Sequence, residues 1–377
     1  MIIMSAALVD LVSVGAQDAY ITGEPQVSFW RQNYKRYTNF ALKPERMDYI
    51  GTFTSGAEVV VPIRSKGDLL SYIWVEHPNI SNVGVNTDGL FSSGDTSVTE
   101  FSLHVGGQEV CKFDSLYVQG VHNVVYRDTQ AKASCSVTSE TVADNAKGVA
   151  GTASDYYMVP FFFSEDWTKS LPLVALQYHE VELRIKCRSG LGNLGASPKI
   201  YGMYAYLDTA EREHFTSQEH EILMTQVQYQ PMTKTDTSID LTYFNHPVKA
   251  LHLTTSNVSG TGWASDYSFD TASLYINGLA LFENGSNTFH HNVVHEMHTT
   301  ALAPSSLDAV PLFTWPFCLT MNRSQPSGSL NFSRIDNAKL TIQSPSSGAN
   351  DGLYRVYAVN YNILRVKDGM AGIAFSN

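Results

Sequence analysis

A weak internal repeat relates the two halves of this chain and limits the folds that it can adopt. FSLHVGGQEVCKF (101–113) consists of two runs of alternating apolar and polar residues around a Gly-Gly pair. ASLYINGLALFEN (272–284) has the same layout around an Asn-Gly pair. Both dipeptides are typical of two-residue hairpin turns, which need positive φ angles. Each half of the chain is therefore predicted to contain a β-hairpin of the same kind.

Two further matches follow the hairpins in the same order in both halves. VELRI (181–185) corresponds to KLTI (339–342), and YAYL (204–207) corresponds to YAVN (357–360). The offset shrinks along the chain, as expected if the second copy has shorter loops. The three anchor pairs are Ser102 with Ser273 (171 positions later), Leu183 with Leu340 (157) and Tyr204 with Tyr357 (153). The pattern predicts a duplicated domain of roughly 150–185 residues per copy, a size suited to an eight-stranded jelly roll.

Composition agrees with an all-β chain. Charged residues make up 16% of the 377 residues, whereas exposed helices are usually rich in Lys and Glu. Short runs rich in β-branched and aromatic residues recur between Gly, Pro, Asn and Ser clusters, with no long helical period between them. The fold class predicted is two consecutive eight-stranded antiparallel jelly rolls joined by a short helical linker. The predicted strand runs include 27–30, 58–63, 69–76, 101–105, 181–187, 199–207, 222–230, 250–256, 273–282, 338–344 and 354–366.

One helix is predicted near the middle of the chain, in DTAEREHFTSQEHE (208–221). Asp208 with Glu211 three positions later forms a capping-box pattern. The segment is polar, which suits a linker between two β domains. The predicted organisation is an N-terminal arm (1–24), a first jelly roll (25–208), a linker helix (209–221) and a second jelly roll (222–377).

Charge and cysteine usage exclude several classes of protein. The net charge of −11 disfavours a protein whose main task is to neutralise nucleic-acid phosphates. The four cysteines, at 111, 135, 187 and 318, are too widely spaced for a zinc site or a small disulfide scaffold, which favours free thiols in a reducing compartment. The apolar N-terminus lacks a basic n-region and is interrupted by Asp10, so it does not read as a signal peptide.

Six segments resemble the major capsid proteins of large eukaryotic double-stranded DNA viruses, the nucleocytoplasmic group. GAQDAYITGEPQVSFWRQNYKRYTNFA (15–41) is similar to the opening motif of that family, with Trp30 and Tyr37 as aromatic departures from it. LPLVALQYHEVELRI (171–185) resembles a motif late in its first domain. The other segments, in order along nearly the whole chain, are 206–228, 244–251, 325–340 and 356–377.

The resemblance implies a structural protein rather than an enzyme, with no cofactor. It implies a homotrimeric, pseudo-hexagonal capsomer of an icosahedral shell, assembled in the host cytoplasm and present in the virion. The implied partners are neighbouring capsomers, minor capsid and penton proteins, and the internal membrane through the N-terminal arm, without sequence-specific nucleic-acid contacts. Two alternatives stay open: a minor capsid protein of the same fold, or a cytoplasmic two-domain β-sandwich protein of lectin or cupin type.

The sharpest metal-ligand pattern is HHNVVHEMH (290–298). His291, His295 and His298 would share one face of a helix. The spacing differs from H-E-x-x-H, however, and the flanking residues are typical of a loop. The favoured interpretation is a polar, pH-sensitive loop or interface, with metal binding as the weaker candidate.

A basic and aromatic stretch, FWRQNYKRYTNF (29–40), is the candidate for contact with inner components of a shell. Arg31, Lys35 and Arg36 alternate with aromatic residues, a pattern that can bind nucleic acid or anionic lipid headgroups. The favoured interpretation is a first β-strand with its aromatics in the core, and the alternative is an inner-face contact made by residues 1–40.

Four N-x-[ST] sequons are candidate glycosylation sites, although such sequons also arise by chance in an Asn/Ser-rich chain. They begin at Asn79, Asn257, Asn284 and Asn322; a fifth, at Asn331, lies in a segment predicted to be partly buried.

Overall fold

A computed structural model describes residues 11–77, 97–126, 155–191, 197–256, 267–300, 311–346 and 352–376. Residues Met1–Asn39 and Phe40–Asn377 form two separate units. Within the first unit, the described part contains a single helical turn at Ala19–Thr22. The strand predicted at 27–30 is not formed, and Phe29 and Trp30 are 92% and 95% exposed. The interpretation of this stretch as a core strand is therefore wrong.

The second unit begins with nine strands that form two antiparallel sheets. One sheet has the order β1-β9-β3-β6, with the short β7 paired to β3, and the other has the order β2-β8-β4-β5. Within each sheet, strands that are distant in sequence pair with each other, and this arrangement in two sheets is the jelly-roll topology. The strands are β1 (Phe40–Met47), β2 (Glu58–Ile63), β3 (Leu69–His77), β4 (Glu100–Val105), β5 (Gln108–Asp114), β6 (Asp155–Val159), β7 (Leu171–Pro172), β8 (Val181–Lys186) and β9 (Lys199–Leu207).

A second set of ten strands repeats the same topology. Its sheets have the orders β10-β18-β12-β15 and β11-β17-β13-β14, with the short β16 paired to β12 and β19 paired to β18. The fold class predicted from the sequence, a double jelly roll, is confirmed. The strands are β10 (His220–Met232), β11 (Ser238–Asp240), β12 (Pro247–Thr255), β13 (Thr271–Ile276), β14 (Leu279–Ser286), β15 (Phe313–Pro316), β16 (Leu330–Asn331), β17 (Ala338–Gln343), β18 (Tyr354–Lys367) and β19 (Met370–Ile373).

Helix Thr209–Ser217 lies between the two rolls in sequence. Asp208 caps it by accepting a hydrogen bond from the N–H of Thr209, and Arg212 bonds Asp68 of the first roll at 3.0 Å. The helix is shorter than the predicted 209–221 because β10 already begins at His220. The domain boundaries predicted from the sequence, including the end of the arm at residue 24, stay predictions.

The register of the sheets tests the repeat directly. Leu103 pairs with Leu183 in the first roll and Leu274 pairs with Leu340 in the second, which confirms the offsets of 171 and 157. The third match, Tyr204 with Tyr357, is displaced by three residues from the alignment of the two rolls that the structure gives. Tyr204 faces the core of the first roll, whereas Tyr357 faces away from the core of the second roll. Since neighbouring strand residues face opposite ways, an offset of 153 joins opposite faces.

Each roll also carries a short helix between its fifth and sixth long strands. The first insert helix (115–125) and the second insert helix (289–298) both contain a π-helical segment, Val118–His122 and Phe289–Val293. Both are capped by the residue that ends the preceding strand: Asp114 accepts from the N–H of Tyr117, and Ser286 accepts from the N–H of Phe289. These helices are therefore equivalent elements of the duplicated fold.

Candidate functional site

The contact between the two rolls buries several polar and charged side chains that the described residues supply. The sheet β10-β18-β12-β15 packs its inner face on the core of the second roll and its outer face on the first roll. Strands β12 and β18 are consequently buried along almost their whole length. A sheet covered on both faces normally belongs to the interior of a layered domain, so the two rolls form one packed body.

A buried ion pair crosses this contact. Asp114, at the end of β5, is 1% exposed and pairs with Arg355 of β18. The same carboxylate accepts hydrogen bonds from the N–H of Tyr117 at 2.7 Å and from the hydroxyl of Tyr357 at 2.8 Å. Burial raises the pKa of Asp114, and Arg355 with these donors acts in the opposite direction. The guanidinium of Arg355 also lies 4.2 Å from the ring centre of Tyr229.

A chain of hydrogen bonds runs from the first roll through the second. The hydroxyl of Tyr126 bonds His252 Nε2 at 2.6 Å, and His252 Nδ1 bonds Thr314 Oγ1 at 2.8 Å. Thr314 Oγ1 bonds His295 Nε2 at 2.9 Å, and His295 Nδ1 bonds the carbonyl of His291. Because a carbonyl only accepts, His295 Nδ1 must carry the proton when the ring is neutral. We refer to these four side chains as the histidine relay.

The proton on His295 Nδ1 determines which group donates in each hydrogen bond of the histidine relay. A neutral His295 accepts at Nε2, so Thr314 donates to it and accepts from His252 Nδ1–H. His252 Nε2 then accepts from Tyr126. Burial lowers the pKa of His295 to about 4, and burial lowers the pKa of His252 well below its ordinary value, so the neutral forms are the stable ones.

Close packing of the first insert helix holds Tyr126 against β12. A Cβ added to Gly120 would lie 2.9 Å from Thr254 Oγ1, so a side chain at position 120 would push the helix away. Two further hydrogen bonds join the rolls. Gln226 donates to the carbonyl of Val110 at 2.7 Å, and Ser324 donates to Asp166 at 3.0 Å. The relative position of the rolls is thus fixed by many directional bonds.

The histidines singled out from the sequence lie in the second insert helix rather than in a loop. His291 and His298 bond the carbonyls of Leu312 and Cys318 through Nδ1, as His295 bonds that of His291. Across the described ranges, no group of three His, Cys, Asp or Glu side chains is arranged to hold a metal ion. The loop interpretation was wrong because a π-helical start and mixed polarity hide the helical period.

The other sequence candidates fall in different places. Arg31, Lys35 and Arg36 are exposed side chains of the first unit. Asn284 is exposed, whereas Asn322 is buried and donates to Thr300 at 2.6 Å, a geometry that disfavours a glycan there. Asn79 and Asn257 lie outside the described residues. Asn331 is exposed, contrary to expectation, and caps Ser333.

The described cysteines and helices add two plain findings. Cys111, Cys187 and Cys318 are buried free thiols, and Cys135 lies outside the described residues. In the part of the chain that the structure covers, no helix is long and apolar enough to cross a membrane.

Two equivalent jelly rolls locked by a buried polar contact define the double jelly-roll class of shell proteins. Residues 28–208 match the family described as "Major capsid protein N-terminus", and residues 211–372 match "Large eukaryotic DNA virus major capsid protein". The chain is 31% identical to the major capsid protein of Pyramimonas orientalis virus, over 99% of this chain and 100% of that protein. It is 29% identical to that of Paramecium bursaria Chlorella virus 1, over the same shares.

Solved structures show the same fold. The PBCV-1 virus capsid chain aligns with a TM-score of 0.73 and 24% identity, covering 93% of this chain and 100% of that one. The Faustovirus major capsid protein aligns with a TM-score of 0.61 and 11% identity, over 94% and 95% of the two chains. The chain belongs to the major capsid protein family of large eukaryotic DNA viruses. It is a structural protein of the virion.

Proposed function

We propose that this chain forms a homotrimeric, pseudo-hexagonal capsomer by repeating between copies the contact that joins its own two rolls. The observation that supports this proposal is a pair of apolar surfaces, a mostly half-buried one on the first roll and an exposed one on the second, at the positions equivalent to the two sides of the internal contact. Each copy would use its first roll to receive one neighbour and its second roll to reach the other.

The bulges in the two central strands establish which residues are equivalent. β3 shifts its register against β9 at Ser71, and β12 shifts against β18 at Lys249. Counting from these positions, Trp74 corresponds to His252 and Tyr201 corresponds to Tyr357. The outer face of β10-β18-β12-β15, which is covered by the first roll, therefore corresponds to the outer face of β1-β9-β3-β6.

Among the residues that the structure describes, that face of the first roll carries a set of half-buried aromatic side chains. Tyr72 and Trp74 lie 5.7 Å apart between ring centres, and Trp74 stacks on Tyr201 at 5.3 Å. Half-buried or exposed aromatic and aliphatic side chains in one continuous area indicate a protein contact. This sheet patch comprises Leu42, Tyr72, Trp74, Met158, Tyr201 and Met203.

The second roll carries the surface that would pack on the sheet patch of a neighbouring copy. In the first roll, β5 and the first insert helix cover the neighbouring sheet and are largely buried. Their equivalents, β14 and the second insert helix, expose a row of apolar side chains, of which Leu279 is 74% and Met297 is 72% exposed. This helix patch comprises Leu279, Leu281, Phe289, Val293 and Met297.

A sheet patch that meets a helix patch is a head-to-tail contact, which closes into a ring when the rotation between copies allows it. Each copy brings two similar wedges, so three copies supply six and give a pseudo-hexagonal outline. Such a capsomer fits six-coordinated positions of an icosahedral shell beside neighbouring capsomers and penton proteins. The reducing environment implied by the free thiols suits assembly in the host cytoplasm.

Charge placed in the helix patch should dissociate the trimer. Met297→Asp puts a carboxylate into a surface that would lose its water on assembly. Because Met297 is highly exposed in the single chain, the substitution should not destabilise the folded monomer. We expect a mass of three times 41.7 kDa for the wild type and 41.7 kDa for the variant, measured by light scattering. The matched control is Tyr243→Asp, which lies outside both patches and is 74% exposed. A trimeric Met297→Asp protein, or dissociation by both variants, contradicts the assignment.

We further propose that residues 1–40 contact components at the inner face of the shell, namely minor capsid proteins or the internal membrane. The support is the combination of exposed aromatic side chains with Arg31, Lys35 and Arg36 in the described part of this segment. Deleting residues 1–24 should leave the trimer intact and impair shell closure, as judged by electron microscopy of assembled particles. Normal particles from the deletion would refute a contact made by residues 1–24.

A further inference from the structure

The contact inside the chain and the proposed contact between copies differ at one charged position. Inside the chain, Asp114 of the first roll pairs with Arg355 of β18. Ser286 is equivalent to Asp114, because each residue ends the second strand of its hairpin and caps the insert helix that follows. Lys199 is equivalent to Arg355 by the strand register described above. Between copies, a serine and a lysine therefore stand where the internal contact has a buried ion pair.

The aromatic surroundings of this position are the same in both contacts. Asp114 accepts from the hydroxyl of Tyr357, and the equivalent of that residue, Tyr201, carries the same hydroxyl. Tyr117 packs on Tyr357 at 5.5 Å between ring centres, and the equivalent of Tyr117 is Phe289 of the helix patch. The serine and the lysine are both exposed in the single chain. A neighbouring copy can therefore bring Phe289 onto Tyr201 and the two polar side chains together.

The closest approach of the internal contact is also changed. Gly120 lies so near β12 that an added Cβ would be 2.9 Å from Thr254 Oγ1. Its equivalent is the exposed Asn292, six positions after the cap in the second insert helix, and the equivalent of Thr254 is Glu76 of β3. Both replacements have longer side chains. The second insert helix should therefore lie farther from the neighbouring sheet than the first insert helix lies from its own.

We infer that Ser286 of one copy faces Lys199 of the next, and that this pairing makes the contact between copies separable while the two rolls of each chain stay together. The inference rests on the trimer proposed above. A serine hydroxyl has no charge to offset the ammonium group of Lys199 when assembly removes its water, whereas the internal contact pairs both of its charges. Glu76, opposite Lys199 in the sheet, belongs to the same copy and accepts from Trp74 Nε1 at 2.9 Å. A capsomer can thus release its neighbours without opening the fold of each chain.

Restoring the carboxylate tests the position. Ser286→Asp should preserve the helix cap, because Asp114 caps the first insert helix in the same way. It should lower the protein concentration at which half of the trimer has dissociated by about tenfold, through a new ion pair with Lys199 of the next copy. Adding Lys199→Met to Ser286→Asp should abolish that gain. The matched control Ser238→Asp, on the exposed edge strand β11, should leave the concentration unchanged.

Light scattering over a dilution series measures these proteins, in the urea concentration that half-dissociates the wild type. In a urea titration, the wild-type mass should fall to 41.7 kDa before circular dichroism reports loss of the strands. Simultaneous dissociation and unfolding would overturn the inference. It is also wrong if Met297→Asp dissociates the trimer but Ser286→Asp does not tighten it, an outcome that leaves the trimer standing. A monomeric wild type would overturn both.

Discussion

Replacing Arg355 with methionine should lower the free energy of unfolding by about 3–5 kcal/mol, because it leaves the Asp114 carboxylate buried without its cation. The substitution keeps most of the side-chain volume and leaves the cap that Asp114 provides to the first insert helix. Urea unfolding of the wild type and the variant at neutral pH measures the difference. The loss should shrink as the pH falls and Asp114 becomes protonated.

The matched control is Glu221→Ala, which breaks the exposed pair between Glu221 and Arg365 in the same sheet. Both partners of that pair are 55% exposed, so the loss should be at most about 1 kcal/mol. Equal losses from the buried and the exposed pair would show that the Asp114–Arg355 contact does not hold the two rolls together.

A fall in pH should lower the folding stability of the second roll, because it protonates histidines of the histidine relay. The folded-state pKa of His295 is about 4, below its unfolded value of 6.5, so its contribution is complete above pH 6.5. The contribution is lost as the pH falls from 6.5 towards 4, and the full difference is about 3 kcal/mol. His252 acts in the same direction because burial lowers its pKa as well. The neighbouring Lys249, itself positive, adds to the effect on His252.

Thermal unfolding between pH 7 and pH 4 measures this loss in the wild type and in His295→Gln. The glutamine variant should be less stable at pH 7 and should show a shallower pH dependence, because it has no imidazole to protonate. The control is His214→Gln, which changes an exposed histidine of the linker helix and should retain the wild-type slope. Identical slopes in the wild type and His295→Gln would contradict the relay.

Local patterns in the sequence were sufficient for the repeated hairpins and most long strands. The turn at Asn277-Gly278 has φ angles of 48° and 83°, as the Asn-Gly pair predicts. The strand Phe40–Met47 was missed because it is an exposed edge strand containing Pro44 and several charges, which no hydrophobic alternation marks. The insert helices were missed because their π-helical segments break the 3.6-residue period.

The polar contacts between the rolls could not be predicted from the sequence. Asp114 and Arg355 are 241 positions apart, and Tyr126 and His252 are 126 apart. No local spacing rule applies to partners that only the tertiary fold brings together. The bulge that directs Lys249 between the rolls likewise depends on how β12 pairs with β18, and the sequence around it reads as an ordinary buried strand.

Neighbouring copies are expected to repeat the contact found inside the chain. A cryo-electron microscopy map of the purified oligomer would show that contact. We predict a ring of six jelly rolls from three chains, in which the sheet patch around Trp74 of one copy packs on the helix patch around Met297 of the next. A monomer, or an oligomer in which both patches face solvent, would contradict the repeated contact.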